Sequence, residues 1–201
     1  AASGVSSRID QEGLLLTPEE QAAGMKKVKG MAVDRAVSLA TLHARHLAPE
    51  LNPTHVQRRF EVPITKVATP VNLVGVIDVQ EGTDAMRDTK TSSKLPAAGD
   101  ADKSTQMSIY AMAGRALDGK APRVLAFDYL TDGRDKPVTI LTSRDDYDFA
   151  PVLRRIEAFT RVVQSGAFTP TDPTTWWCSP KWCGYWHTCP YVASARTTGV
   201  S

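Results

Sequence analysis

Three side chains in one short stretch, Asp78, Asp88 and Lys90, have the types and spacing to act on a phosphodiester. Residues two apart in a strand share a face, so Asp88 and Lys90 project together while Thr89 points away. Asp78 joins them if the chain turns at Glu81-Gly82-Thr83-Asp84 through a three-residue loop, Gly82 to Asp84. That register sets Asp78 opposite Asp88 and Val76 opposite Lys90, whereas a two-residue loop would put Asp78 on the wrong face. Two carboxylates facing each other at the end of an apolar strand repel and are poorly solvated. A hard divalent cation, magnesium or manganese, would relieve both costs and take further oxygens from water, the Thr89 backbone carbonyl and a phosphate. Such an ion can activate water and neutralise charge developing on phosphate, while Lys90 orients the water or stabilises that charge. The bland alternative is a strand-capping Asp78 and a surface Asp88–Lys90 pair, because D-x-K triplets arise often by chance.

The elements that must hold these residues can be read from periodicity and turn signals. Val71 to Gln80 is a strand with both faces apolar until Asp78, and Ala85 to Thr91 is the strand that pairs back on it. Val56 to Val67 is an earlier strand, and Val124 to Leu130 and Val138 to Leu141 are later ones. Thr17-Pro18-Glu19-Glu20 opens a helix, with Thr17 as N-cap, running to about His46. Met25, Val28, Ala32, Val33, Ala36, Leu39 and Ala40 form its core face. Ala101 to Asp118 is a helix closed by Gly119, and Arg144 to Ser165 an amphipathic one. On the former, Gln106 and Tyr110 stand four residues apart on the face of Ala113 and Leu117. A glutamine there needs a partner, either a site group or nearby backbone.

Composition bounds the rest. With 201 residues and 42% hydrophobic content, the chain can bury one substantial core. Lysine and arginine exceed aspartate and glutamate by only 24 to 22, so any nucleic-acid surface must be local. No apolar run approaches the roughly 20 residues needed to cross a bilayer, and no basic-then-apolar leader opens the chain. The expectation is a cytoplasmic protein, and the start at Ala1 reads as that of a truncated chain. Residues 1–168 are expected to form the core, with 1–16 a loose lead-in and 169–201 a Cys/Trp-rich cap and tail.

The order Gly75-Val76-Ile77-Asp78, turn, Asp88-Thr89-Lys90-Thr91, then a helix with Gln106 and Tyr110 resembles the PD-(D/E)XK nuclease superfamily, most closely its RecB-like branch. The resemblance implies an α/β fold, a three-layer core with a mixed central β-sheet flanked by helices. It implies two metal-binding acids, Asp78 and Asp88, a catalytic Lys90, and a site bordered by Gln106 and Tyr110. A further metal ligand on the early helix is implied four residues after a glycine, where Gly30 is followed by Asp34. A solvated carboxylate is the other reading of Asp34.

Cys178, Cys183 and Cys189, followed by Pro190, are similar to the C-terminal cysteine cluster of RecB-like nucleases of the AddB and CRISPR-adaptation kind. The resemblance implies a four-iron four-sulfur (4Fe-4S) cluster, which takes four thiolates. Three readings stay open: a fourth cysteine outside this chain, a zinc site completed by His187, or no metal. Trp176, Trp177, Trp182 and Trp186 interleave these residues and either pack around the cap or stack on single-stranded bases.

The function expected from all this is a magnesium- or manganese-dependent deoxyribonuclease. An exonuclease of phage or bacterial recombination and repair fits best, acting on single-stranded DNA or duplex ends beside a recombination or helicase partner. The rivals are a catalytically degenerate relative that binds DNA or protein, and a zinc-stapled interaction domain.

Overall fold

The computed structural model describes residues 4, 6–7, 18–180 and 182–191. The cap assigned to Thr17 and most of the 1–16 lead-in lie outside the described residues, as does the tail beyond Tyr191. Five strands form one sheet in the order β1 (His55–Ile64), β2 (Val71–Glu81), β3 (Ala85–Ser92), β4 (Val124–Thr131), β5 (Val138–Thr142). β1–β2, β2–β3 and β4–β5 are antiparallel, while β3 and β4 run parallel. A parallel neighbour cannot be reached by a tight turn, so the chain crosses over through helix α3 (Thr105–Asp118) between β3 and β4. The remaining helices are α1 (Pro18–Ala23), α2 (Met25–Leu42) and α4 (Asp146–Ser165). The sheet is mixed and helix-flanked, the three-layer α/β arrangement expected.

Two apolar clusters cover opposite faces of the sheet. On one, Phe60, Val62, Ile64, Ile77, Met86, Leu125 and Phe127 pack against Met107, Tyr110, Ala111 and Ala113 of α3 and Phe149 of α4. On the other, Leu130 meets Leu39 of α2 and Leu47 just beyond it. β4 therefore sits between both layers, which is why its sequence is nearly continuously buried.

The single N-terminal helix expected from residue 17 to 46 is broken. Gly24 has φ +88°, a conformation that separates α1 from α2. Past Leu42 the chain widens into a π turn, His43–Leu47, and then tightens into a 3-10 turn, Ala48–Glu50. Its face is also less covered than the periodicity suggests: Leu39 is its one buried residue, and Met25 is 53% exposed. Helix α3 starts at Thr105 rather than Ala101, because the Ser104 side chain caps it by accepting from the Met107 N–H. Helix α4 starts two residues after Arg144, at a capping box formed by Asp145 and Asp148.

Released from the helix, Arg144 is 8% exposed and spends its guanidinium on five acceptors: Ser108, Thr142, Ser143, Ala101 and Ser104. It ties the end of β5 to the start of α3. Among the described residues, no helix is long and apolar enough to cross a membrane.

Candidate active site

The hairpin that carries the site has the expected loop. Gly82 takes φ +58°, a left-handed conformation suited to glycine, and Glu81↔Ala85, Gln80↔Met86 and Val79↔Arg87 pair across it. The same register continued by one residue sets Asp78 across from Asp88, but the ladder ends before it. On the other side of Asp78 the β1–β2 ladder skips Gln57 while keeping its register, and Gln57 has φ +53°. Burial along β2 changes phase at the same place: it alternates up to Ile77 and resumes at Gln80. The sheet is thus opened on both sides of Asp78, which frees its carboxylate from the ladder. Gln57 donates to Asp78 Oδ1 at 3.2 Å, and the Thr89 N–H reaches Oδ2 at 3.4 Å.

Two polar clusters hold the hairpin rigid. Gln80, 1% exposed, accepts from Arg58 at 2.6 Å and donates to Gly82 O and to Asp118 Oδ2 at the end of α3. On the other face the fully buried Asp128 accepts from Arg87 of β3 and Thr139 of β5. Each buried charge is paired and hydrogen-bonded, the condition under which burial is tolerated.

Asp88 is 3% exposed. Its Oδ1 accepts from Gln106 Nε2 at 2.5 Å, with the Tyr110 hydroxyl 3.4 Å away. Its Oδ2 lies 2.7 Å from Lys90 Nζ, close enough for an ion pair but out of line for a hydrogen bond, so it is buried with no hydrogen-bond donor. Lys90 instead donates to Gln106 Oε1 at 3.0 Å, and its ammonium stands 5.6 Å from the Phe127 ring centroid. Tyr110 donates to the Val76 carbonyl at 3.0 Å. Burial, reinforced by the negative charges of Asp88 and Asp78, pushes its hydroxyl up to about 12.

Asp78, Asp88, Lys90, Gln106 and Tyr110 are therefore brought together, and Gln106 has found a site carboxylate rather than backbone. A buried carboxylate oxygen that accepts no hydrogen bond, next to a second carboxylate, is the donor set a hard divalent cation takes, so the residues fit a magnesium or manganese ion.

Other expected ligands do not join them. Asp34 stays exposed on α2, and no group of three or more His, Cys, Asp or Glu side chains among the described residues could hold a metal. The same finding gives the iron–sulfur and zinc expectation no support: Cys178, Cys183 and Cys189 are free and half-buried, and among the described residues they form no metal-holding group with His187. The described residues of the tail form neither helix nor strand, and Trp176 packs edge-on against Trp177 and Trp182 at 5.3 Å. All three remain about half or more exposed.

Sequence reasoning missed Gln57, the Val76 carbonyl, Phe127 and Tyr129. Phe127 and Tyr129 reach the site through the parallel pairs Asp88↔Phe127 and Lys90↔Tyr129. The only available signal was the break in the apolar run of β4 at Asp128 and Tyr129, which hints that one side of that strand meets something polar.

The sequence model of the PD-(D/E)XK nuclease superfamily matches residues 7–190. No curated protein sequence matches. Among solved structures, the crystal structure of SSO0001 is similar at 16% identity and a TM-score of 0.50, with 92% of this chain and 80% of that one covered. At that identity the likeness is one of fold alone.

Proposed function

From the premise that the chain belongs to the PD-(D/E)XK nuclease superfamily, we propose that it is a magnesium- or manganese-dependent deoxyribonuclease with its active site at the β2–β3 hairpin. The observation that carries this reading is Asp88 Oδ2, a buried carboxylate oxygen without a donor, at the place where the strands part around Asp78.

Asp88 Oδ2, Asp78 and the Thr89 carbonyl would hold the ion. When bound, it supplies activation of water and neutralises charge building on the phosphate. The chain's own residues do the rest. Gln106 holds Asp88 by Oδ1 and so leaves Oδ2, which faces the Lys90 ammonium, as the oxygen open to an ion. It also fixes Lys90 through Oε1, leaving the ammonium a further proton to offer the attacking water or a phosphate oxygen. Tyr110 stays protonated and pins the Val76 carbonyl, which fixes β2 just before Asp78. The positioned ammonium and carboxylates provide preorganised charge at the reacting centre.

An exonuclease role in phage or bacterial recombination or repair, with a helicase or annealing partner in the cytoplasm, rests on the resemblance of the hairpin and Gln106/Tyr110 to the RecB-like branch. The test is incubation with end-labelled single- and double-stranded DNA, and with circular DNA, in magnesium, manganese or chelator. Degradation of the ends in metal, sparing of the circle, and loss of turnover in folded Asp88→Ala and Lys90→Ala are expected. Unchanged cleavage in both variants would sink the assignment.

The absence of a third acidic ligand among the described residues favours one alternative, a relative that binds DNA without cutting it. Metal-dependent binding with no cleavage would identify it.

A further inference from the structure

A phosphodiester brought to this hairpin meets two carboxylates, so it needs hydrogen-bond donors that the protein has not already committed. Gln106 uses its amide on Asp88 and Tyr110 and its carbonyl on Lys90. Tyr110 gives its proton to Val76 O. Lys90 faces Asp88 and Gln106, so it has one further proton for both the attacking water and the phosphate.

Tyr129 is different. It pairs in register with Lys90 across the parallel β3–β4 ladder, so the two side chains rise from the same face side by side. Its ring lies 6.0 Å from that of Phe127, the ring beside the Lys90 ammonium. It is half-buried in an otherwise fully covered stretch of strand, and among the described residues its hydroxyl makes no hydrogen bond. Burial raises its hydroxyl above the ordinary range and Lys90 opposes that, while Asp88 and Asp100 add to it. The group is thus a neutral donor that feels the charges of the site.

We propose that the Tyr129 hydroxyl donates a hydrogen bond to a non-bridging phosphate oxygen of the bound nucleic-acid strand, making Tyr129 a substrate-positioning residue beside Lys90. The proposal rests on the nuclease reading of the hairpin. A hydroxyl can serve a phosphate without adding a charge that would draw Asp88 away from its metal-binding position.

The test compares wild type with Tyr129→Phe, which removes one oxygen and keeps the ring. A short labelled single-stranded oligonucleotide is bound in calcium, followed by fluorescence anisotropy, and cleaved in magnesium or manganese. Tyr129→Phe should weaken binding about tenfold and raise KM by a similar factor with kcat little changed, the lower end for a hydrogen bond to a charged acceptor. The melting temperature should be kept, which a merely structural role would not separate from the loss. Equal affinity and KM in the two proteins, or a loss confined to kcat, would overturn the proposal. Wild type that binds without cutting overturns the catalytic reading and leaves the anisotropy comparison to decide Tyr129. Wild type that does not bind the oligonucleotide at all overturns both.

Discussion

Replacing Gln106 with leucine removes one side chain that touches three others, and the size of the effect can be worked from the contacts. The amide donates to a carboxylate that is 3% exposed, and a hydrogen bond to a charged group of this kind is worth about 1.5–3 kcal/mol. Its carbonyl accepts from Lys90, but that side chain is 39% exposed, so solvent screening leaves this bond about 0.5 kcal/mol at most. The Tyr110 hydroxyl cannot take over at Asp88 Oδ1, because it is 3.4 Å away and its proton is given to Val76 O. Gln106→Leu should therefore cost about 2–3 kcal/mol, which for a chain of this size lowers the melting temperature by roughly 4–12 °C. Activity should fall through kcat, by about a hundredfold, as Asp88 and Lys90 lose their common support. Calorimetry of metal-free protein and single-turnover kinetics read the two effects. An unchanged melting temperature, or full kcat in the folded variant, would refute the assignment of Gln106 as the support of both residues.

Three further outcomes follow from the packing. A Cβ at Gly75 would stand 2.5 Å from Phe60 Cζ and 2.8 Å from Cε1, and Phe60 is itself buried. Gly75→Ala should destabilise by about 1–3 kcal/mol, with Phe60→Leu recovering part of it in a double-mutant cycle. Arg144→Lys keeps the charge but cannot serve five acceptors from one planar fork, so denaturant titration should show a loss of about 1–3 kcal/mol, the cost of buried acceptors left without a donor. Tyr110 holds its proton more tightly in the folded state, with the hydroxyl at about 12 against an ordinary value of 10.0. Its contribution is complete below the unfolded value and is lost as pH rises from there through the folded one. Metal-free wild type should lose stability across that alkaline window more steeply than Tyr110→Phe, measured by denaturant midpoints.

How far the sequence could be read depended on whether the deciding interaction was local. The hairpin register was legible because Gly82-Thr83-Asp84 sets loop length and β-strand period is strict, and the strands at Val71, Ala85, Val124 and Val138 begin where their apolar runs do. Gln106 was legible as a polar residue on a buried face that needed a partner. The break at Gly24 was missed because glycine inside a charged periodic stretch looks like a tolerated helical residue. The exposure of Met25 could not be read, because periodicity shows which face is apolar but not how much of it is covered. Arg144 reads as the first residue of a helix because nothing local distinguishes a capping Asp145 from a helical one. The parallel neighbours Phe127 and Tyr129 lie across a crossover of more than thirty residues, from Ser92 to Val124, and no spacing rule reaches that far. The cysteine tail shows the reverse case: its spacing invites a metal site, and among the described residues no metal-holding group supports one.

The claim on which the rest stands is that Asp78 and Asp88 together hold one divalent cation where the strands part. Manganese binding followed by electron paramagnetic resonance addresses it directly, since free and bound manganese give different signals. Wild type should bind one equivalent, Asp78→Asn and Asp88→Asn should each abolish it with the fold preserved, and Asp34→Asn should leave it intact. One equivalent bound with undiminished affinity by both hairpin variants would contradict the site.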